Sequence, residues 1–176
     1  MMRAVVDTNV VLVANGSHAD VSPDCVIACI DRLESLMKNG RVVIDDAYRI
    51  LGEYQNKTSP MKNKGPGDAF VRWLLKNNTN PRHVEQVALT EPTTDMFNEF
   101  PGAALQTAID PPDRKFLATA AAHPNRPTVW QASDSEWLDW WQSLKAAGVT
   151  VEFLCPDDVC RFYASKFPGR AVPPLP

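Results

Sequence analysis

Val5-Val6-Asp7-Thr8-Asn9 ends an apolar run near the N-terminus with a carboxylate and two small hydrogen-bonding residues. A buried strand that gives way at once to Asp-Thr-Asn sets a carboxylate at its C-terminal edge, the crevice where open α/β sheets bind ligands. Thr8-Asn9 leads back into the apolar Val10-Val11-Leu12, which leaves no helix start for Asp7 to cap. The aspartate is therefore read as a site signal rather than a packing signal.

The pattern that follows alternates. Residues 3–6 read as a strand and residues 22–38 as a helix, with Ser22 as cap, Pro23 in the first turn and Val26, Ile27, Ile30, Leu33 and Met37 as an apolar stripe. Residues 41–44 form a second strand, and Asp45 or Asp46 caps a helix that turns Ala47, Ile50, Leu51 and Tyr54 one way. Residues 56–67 are polar, basic and rich in breakers, a loop before a helix over 68–76. Residues 84–89 read as a strand, and 92–112 as a broken region with one short helix around 94–99. Beyond Asp113 come an Ala-rich helix, a strand over 127–132, a Trp-rich helix over 137–147 closed by Gly148, a strand over 149–154 and a helix over 157–166. Strands alternating with helices predict a parallel sheet.

The 176 residues suit one domain, here 1–166, with a proline-rich and poorly ordered tail over 167–176. Neither a signal-peptide pattern nor an apolar stretch of bilayer length is present, and the expected location is the cytoplasm. A net charge of -3 gives no global attraction to nucleic acid, so such binding needs a local patch. Cys25 and Cys29 lie one helical turn apart, with Cys155 and Cys160 near the C-terminus. Without Cys-x-x-Cys spacing or a neighbouring histidine they read as ordinary buried, reduced thiols rather than a zinc site.

Three acids share a structural address. Asp7 follows the first strand, Asp134 follows the 127–132 strand, and Asp113 opens the helix that leads into that strand; Glu53 lies within the second long helix. Carboxylates gathered at one sheet edge repel unless a cation sits among them. Oxygen ligands without Cys or His select Mg2+ or Mn2+.

Asp7-Thr8-Asn9 after Val5-Val6, Asp113-Arg-Lys-Phe116-Leu-Ala118, and Val129-Trp-Gln-Ala-Ser133-Asp134 together resemble the acidic motifs of the PIN-domain ribonucleases over about residues 2–155. The resemblance implies a three-layer α/β/α, Rossmann-like sandwich with a mainly parallel sheet. It further implies Mg2+- or Mn2+-dependent hydrolysis of RNA, with Asp7, Glu53, Asp113 and Asp134 as catalytic metal ligands. Thr8, Asn9 and Ser133 support those ligands, and Glu136 assists or replaces Asp134. The partners it implies are RNA, an antitoxin protein and a second copy of the chain; the setting is a toxin–antitoxin pair or an RNA-processing nuclease. An extended middle, residues 57–112, departs from the smaller members, and Asp110 adds an acid whose following proline biases it away from a helix start.

Lys57, Lys62, Lys64 and Arg72 form a basic strip suited to a phosphate backbone, and Trp73 beside it is the aromatic placed to stack a base. Trp137, Trp140 and Trp141 repeat at helical spacing and read as packing residues. Two rivals remain. A haloacid dehalogenase-type phosphatase needs an acid where Asn9 stands. A degenerate PIN-like domain would bind RNA or a protein without cutting.

Overall fold

The computed structural model describes residues 1–176. Five strands, β1 (Met2–Val6), β2 (Gly40–Asp45), β3 (Val84–Val87), β4 (Thr128–Gln131) and β5 (Val151–Phe153), pair in parallel in the order β3-β2-β1-β4-β5. Around them lie α1 (Thr8–Ala14), α2 (Pro23–Asn39), α3 (Arg49–Lys57), α4 (Pro66–Asn77), α5 (Ala103–Ala108), α6 (Arg114–Ala122), α7 (Trp137–Ala146) and α8 (Pro156–Lys166). The architecture is the expected three-layer, Rossmann-like α/β fold. No helix is long and apolar enough to cross a membrane.

Strand order fixes where a ligand can sit. The chain steps from β1 out to β2 and β3, then returns to the other side of β1 for β4 and β5. Right-handed crossovers put α1 to α4 on one face and α6 and α7 on the other. The order reverses at β1, so the crevice beyond the carboxyl ends of β1 and β4 is the topological switch point. In register, Val6 lies beside Trp130, which brings Asp7 next to the loop after β4.

The central strands are covered on both faces. Ala4, Val5, Val6, Val42, Val43 and Ile44 are fully buried, which is why these strands read as unbroken apolar runs. Helix α2 is capped by Ser22, whose hydroxyl accepts from Cys25 N at 3.2 Å, and it buries Cys25, Cys29, Leu33 and Leu36. Its face is rotated from the expected stripe, leaving Ile27 55% exposed. Helix α4 meets α1 so closely at Gly67 that a Cβ there would collide with the Val11 carbonyl.

Three expectations are corrected. Residues 8–14 form a helix, capped by Asp7, because Val10, Val11 and Val13 gain burial that outweighs the weak helix preference of β-branched residues. The short helix of the middle region is α5 rather than 94–99; buried Gln106 bonds both the N–H and the carbonyl of Phe97, at 2.8 and 3.2 Å, and folds the region back on itself. The cysteines are not isolated thiols. Cys25 and Cys155 form a disulfide across 130 residues, because the first turn of α2 faces the junction of β5 and α8. Burial, with the charge of Asp158 second, pushes the neighbouring Cys29 thiol up to about 12.

In the C-terminal segment, Trp141 Nε1 donates to the Pro174 carbonyl at 2.9 Å. Trp137 and Trp141 are buried in the core, as their spacing predicts.

Candidate metal centre

Asp7 belongs to both a helix cap and the crevice. One carboxylate oxygen accepts from Asn9 N at 2.8 Å, satisfying a free donor at the start of α1. The end of β1 is pinned from below, where Tyr54 of α3 donates its hydroxyl to the Val6 carbonyl. The Asp7 side chain is almost wholly out of solvent, 5% exposed as a residue, and burial pushes its carboxyl up to about 7. The Asn9 N–H opposes that rise, while the charges of Asp134 and Glu53 add to it.

Asp113 arrives on a different element. A 3-10 turn over Pro111–Asp113 delivers it to the start of α6, yet its side chain caps nothing. Burial pushes this carboxyl up to about 8, with the charges of Asp7, Asp134 and Asp110 adding to the rise and Lys115 opposing it. Asp134 follows β4 through Ala132 and Ser133, and burial raises it as well, against a hydrogen bond from Glu136 N at 3.3 Å. Three independent segments therefore carry three carboxyl groups into one field.

Asn9 closes the crevice floor. Its side-chain oxygen accepts from Ser133 N at 2.9 Å and lies 3.4 Å from the Ser133 hydroxyl, joining the loops that follow β1 and β4. Gln131, at the end of β4, accepts through its side-chain oxygen from Ala132 N at 2.8 Å. Its Nε2 is buried without a hydrogen-bond partner. Burial is the leading cause of the rise in all three carboxyls, Asp7, Asp113 and Asp134.

Glu53 reaches the rim under different terms. Thr8 Oγ1 donates to it at 2.6 Å, and Lys115 Nζ pairs with its other oxygen while also donating to the Pro112 carbonyl at 2.6 Å. Lys115 is 7% exposed, so this ammonium is a built part of the site. Its signal in the sequence is a lysine at the head of an apolar helix, one residue past Arg114 and two past Asp113. Glu136 is held below its ordinary value by Lys166, 2.5 Å away, and by a hydrogen bond with Asp110, whose own carboxyl is raised by that same bond. Asp110, the acid discounted for its proline, stands at the edge of the cluster.

The donor set is carboxylate oxygen alone, which fits Mg2+ or Mn2+. The carboxylates are spread wider than a closed cage. The single trio of ligating side chains with donor atoms all within 4.8 Å of one another is Cys25, Cys29 and Cys155.

Beside Glu53 opens a hollow of about 590 Å³ of mixed charge, lined by Tyr48, by Arg49, Lys57 and Lys115, and by the acids Glu91 and Asp95. Lys57 is the one member of the expected basic strip that reaches it. Lys62 and Arg72 are exposed, and the Lys64 N–H donates to buried Asp68 at 3.0 Å. Trp73 is not an open platform: it packs between Phe70 and His83, with ring centroids at 6.3 and 5.4 Å. The exposed aromatic at the rim is Tyr48, held in a left-handed backbone conformation (φ 59°) that a tyrosine rarely adopts. No motif in the sequence marks it.

No family model, no curated protein and no solved structure matches the chain, so the crevice is read from its own residues.

Proposed function

We propose that the chain is a Mg2+- or Mn2+-dependent endoribonuclease of the PIN type, acting in the cytoplasm. The observation that carries this reading is the convergence of Asp7, Asp113 and Asp134 at the switch-point crevice, with Asp7 pushed up to about 7 and Asp113 to about 8 when no cation is present. Groups whose proton affinity is raised by burial and by one another are poised to exchange those protons for a divalent ion. A bound ion of this kind lowers the pKa of an attacking water and neutralises charge on phosphodiester oxygens.

The chain's own residues divide the work. Asp7, Asp113 and Asp134 hold the ion, and Asn9 fixes the separation of the first and last by its bond to Ser133. Thr8 orients Glu53, which stands at the border between the acids and the neighbouring hollow. Arg49 and Lys115 are paired with Glu91 and Glu53, so exposed Lys57 is the cation this hollow offers to a phosphate backbone, and the Tyr48 ring offers a face to a base. The resemblance to PIN-domain toxins extends the proposal to an antitoxin protein and a second copy as partners.

A second reading, binding without cleavage, is favoured by one observation: Lys115 already neutralises Glu53. Incubation of the purified chain with a mixed single-stranded RNA pool separates the two. Cleavage that requires Mn2+, stops with EDTA and disappears in Asp7→Asn and Asp113→Asn supports the nuclease. RNA retention without any cut product, unchanged in those variants, supports the binder.

A further inference from the structure

Away from the acidic crevice, three cysteines meet where α2 faces the β5–α8 junction. Cys25 and Cys29 stand at i and i+4 on one face of α2, and Cys155 comes from the far end of the chain. The sulfurs all lie within 4.8 Å of one another, and Cys29 Sγ is 3.9 Å from Cys155 Sγ. Two thiolates on a tetrahedral zinc ion, each at about 2.3 Å, stand roughly 3.8 Å apart. The Cys29–Cys155 pair already has that spacing, although Cys29 takes no part in the disulfide.

The surroundings suit a cation. A hollow of about 450 Å³ opens onto Cys25 and Cys155 and is lined by Asp24, Asp157 and Asp158, with Arg161 as the one basic group. Asp158 is committed elsewhere: it accepts from Ser22 N at 2.6 Å and the Ser22 hydroxyl at 2.7 Å, and pairs with Arg161 at 3.2 Å. It acts through charge rather than as a ligand. The three cysteines would hold such an ion, and water from the hollow that reaches Cys25 and Cys155 would complete its coordination.

We propose that the reduced chain binds a soft divalent cation, zinc by its chemistry, through Cys25, Cys29 and Cys155, and that the Cys25–Cys155 disulfide is the oxidised, metal-free state of the same site. A dithiol reductant delivers two electrons and two protons to the Cys25 and Cys155 sulfurs; their bond breaks and the reductant leaves as its own disulfide. The cation then replaces three thiol protons, which pass to solvent. In a reducing compartment the cluster is a metal site, and in an oxidising one it is a cross-link. Cys160, half-exposed on α8, belongs to neither state.

Titration of the reduced full-length chain with Co2+ tests this, because thiolate ligation gives a charge-transfer band that carboxylates do not. One equivalent should produce that band and tetrahedral d–d absorption, and Zn2+ should abolish both. Cys29→Ala should weaken binding by more than the roughly 10–100-fold that loss of a supporting residue costs, while Cys160→Ala leaves it unchanged. Equal melting of oxidised Cys29→Ala and oxidised wild type shows that the variant folds. Without any variant, one equivalent of Zn2+ should block re-formation of the disulfide by oxidised glutathione. Absence of the thiolate band in reduced wild type, or re-oxidation that ignores Zn2+, overturns the proposal.

Discussion

The side-chain oxygen of Asn9 accepts the Ser133 backbone N–H at 2.9 Å, so the loop after β1 is tied to the loop after β4 across the switch point. Asp7 and Asp134 sit one or two residues from this tie, and their separation depends on it. Asn9→Ala leaves the Ser133 N–H without that acceptor and should cost about 1–3 kcal/mol. Thermal melting reads the stability loss, and steady-state cleavage of RNA should show a fall in kcat at temperatures where the variant remains fully folded. Wild-type kcat in folded Asn9→Ala would remove the positioning role.

Lys115 stands where a cation is already present at Glu53. Lys115→Met strips that neutralisation and concentrates negative charge at the rim. Without divalent ions the variant should lose about 1–3 kcal/mol, since a half-buried carboxylate loses its partner. Its Mn2+ affinity should rise severalfold. Calorimetric titration checks both, and unchanged affinity would mean that Glu53 lies outside the electrostatic reach of the ion.

The raised carboxyl groups give a pH dependence with a definite sign. In the folded chain Asp7 and Asp113 keep protons up to about 7 and about 8, while the unfolded chain releases them near 3.8. Stability from these groups is full below the unfolded value and is lost as pH rises through the folded ones. In EDTA the melting temperature should therefore fall between pH 5 and pH 8, and Asp7→Asn should recover on the order of 2–4 kcal/mol at the upper end. Saturating Mn2+ should reverse the order, stabilising wild type at pH 8 and leaving the variant where it was. Melting curves that are flat with pH in EDTA would contradict the buried acidic cluster.

The Cys25–Cys155 cross-link closes a loop of 130 residues. Reduction in the presence of a chelator should lower stability by about 3–5 kcal/mol, mainly through the freedom returned to the unfolded chain. Urea midpoints with and without a phosphine reductant measure this, and Cys25→Ala under oxidising conditions should match reduced wild type. Equal midpoints in all three would show that the cross-link adds nothing to the fold.

Much of this architecture was legible because local signals and burial agree. Apolar runs such as Val42-Val43-Ile44 become central strands, and Ser22-Pro23 opens α2 as cap and first turn. Asp7, Asp113 and Asp134 were readable because each abuts a strand or helix end whose direction the alternating pattern sets. Helix α1 was not, since Val10-Val11-Leu12-Val13 has strand preference and only packing against α2 and α4 makes it helical. Lys115 and Tyr48 were missed, and Asp110 was discounted, because their roles depend on neighbours from distant segments: Glu53, the hollow beside α3, and Glu136. The disulfide was hidden for the same reason, since no local rule joins residue 25 to residue 155. Trp73, beside Arg72, is half-buried, its ring packed with Phe70 and His83, contacts from which local sequence gives no sign.

The most direct test of the acidic centre is Mn2+ binding followed by paramagnetic resonance of the free ion, on the oxidised chain at pH 7.5, where the cysteine cluster is closed. Wild type should bind Mn2+ in the millimolar range or tighter, and Asp7→Asn and Asp113→Asn should each weaken binding by more than about tenfold. Binding of equal strength in wild type and both variants, or none in wild type, would contradict a metal centre built from Asp7, Asp113 and Asp134.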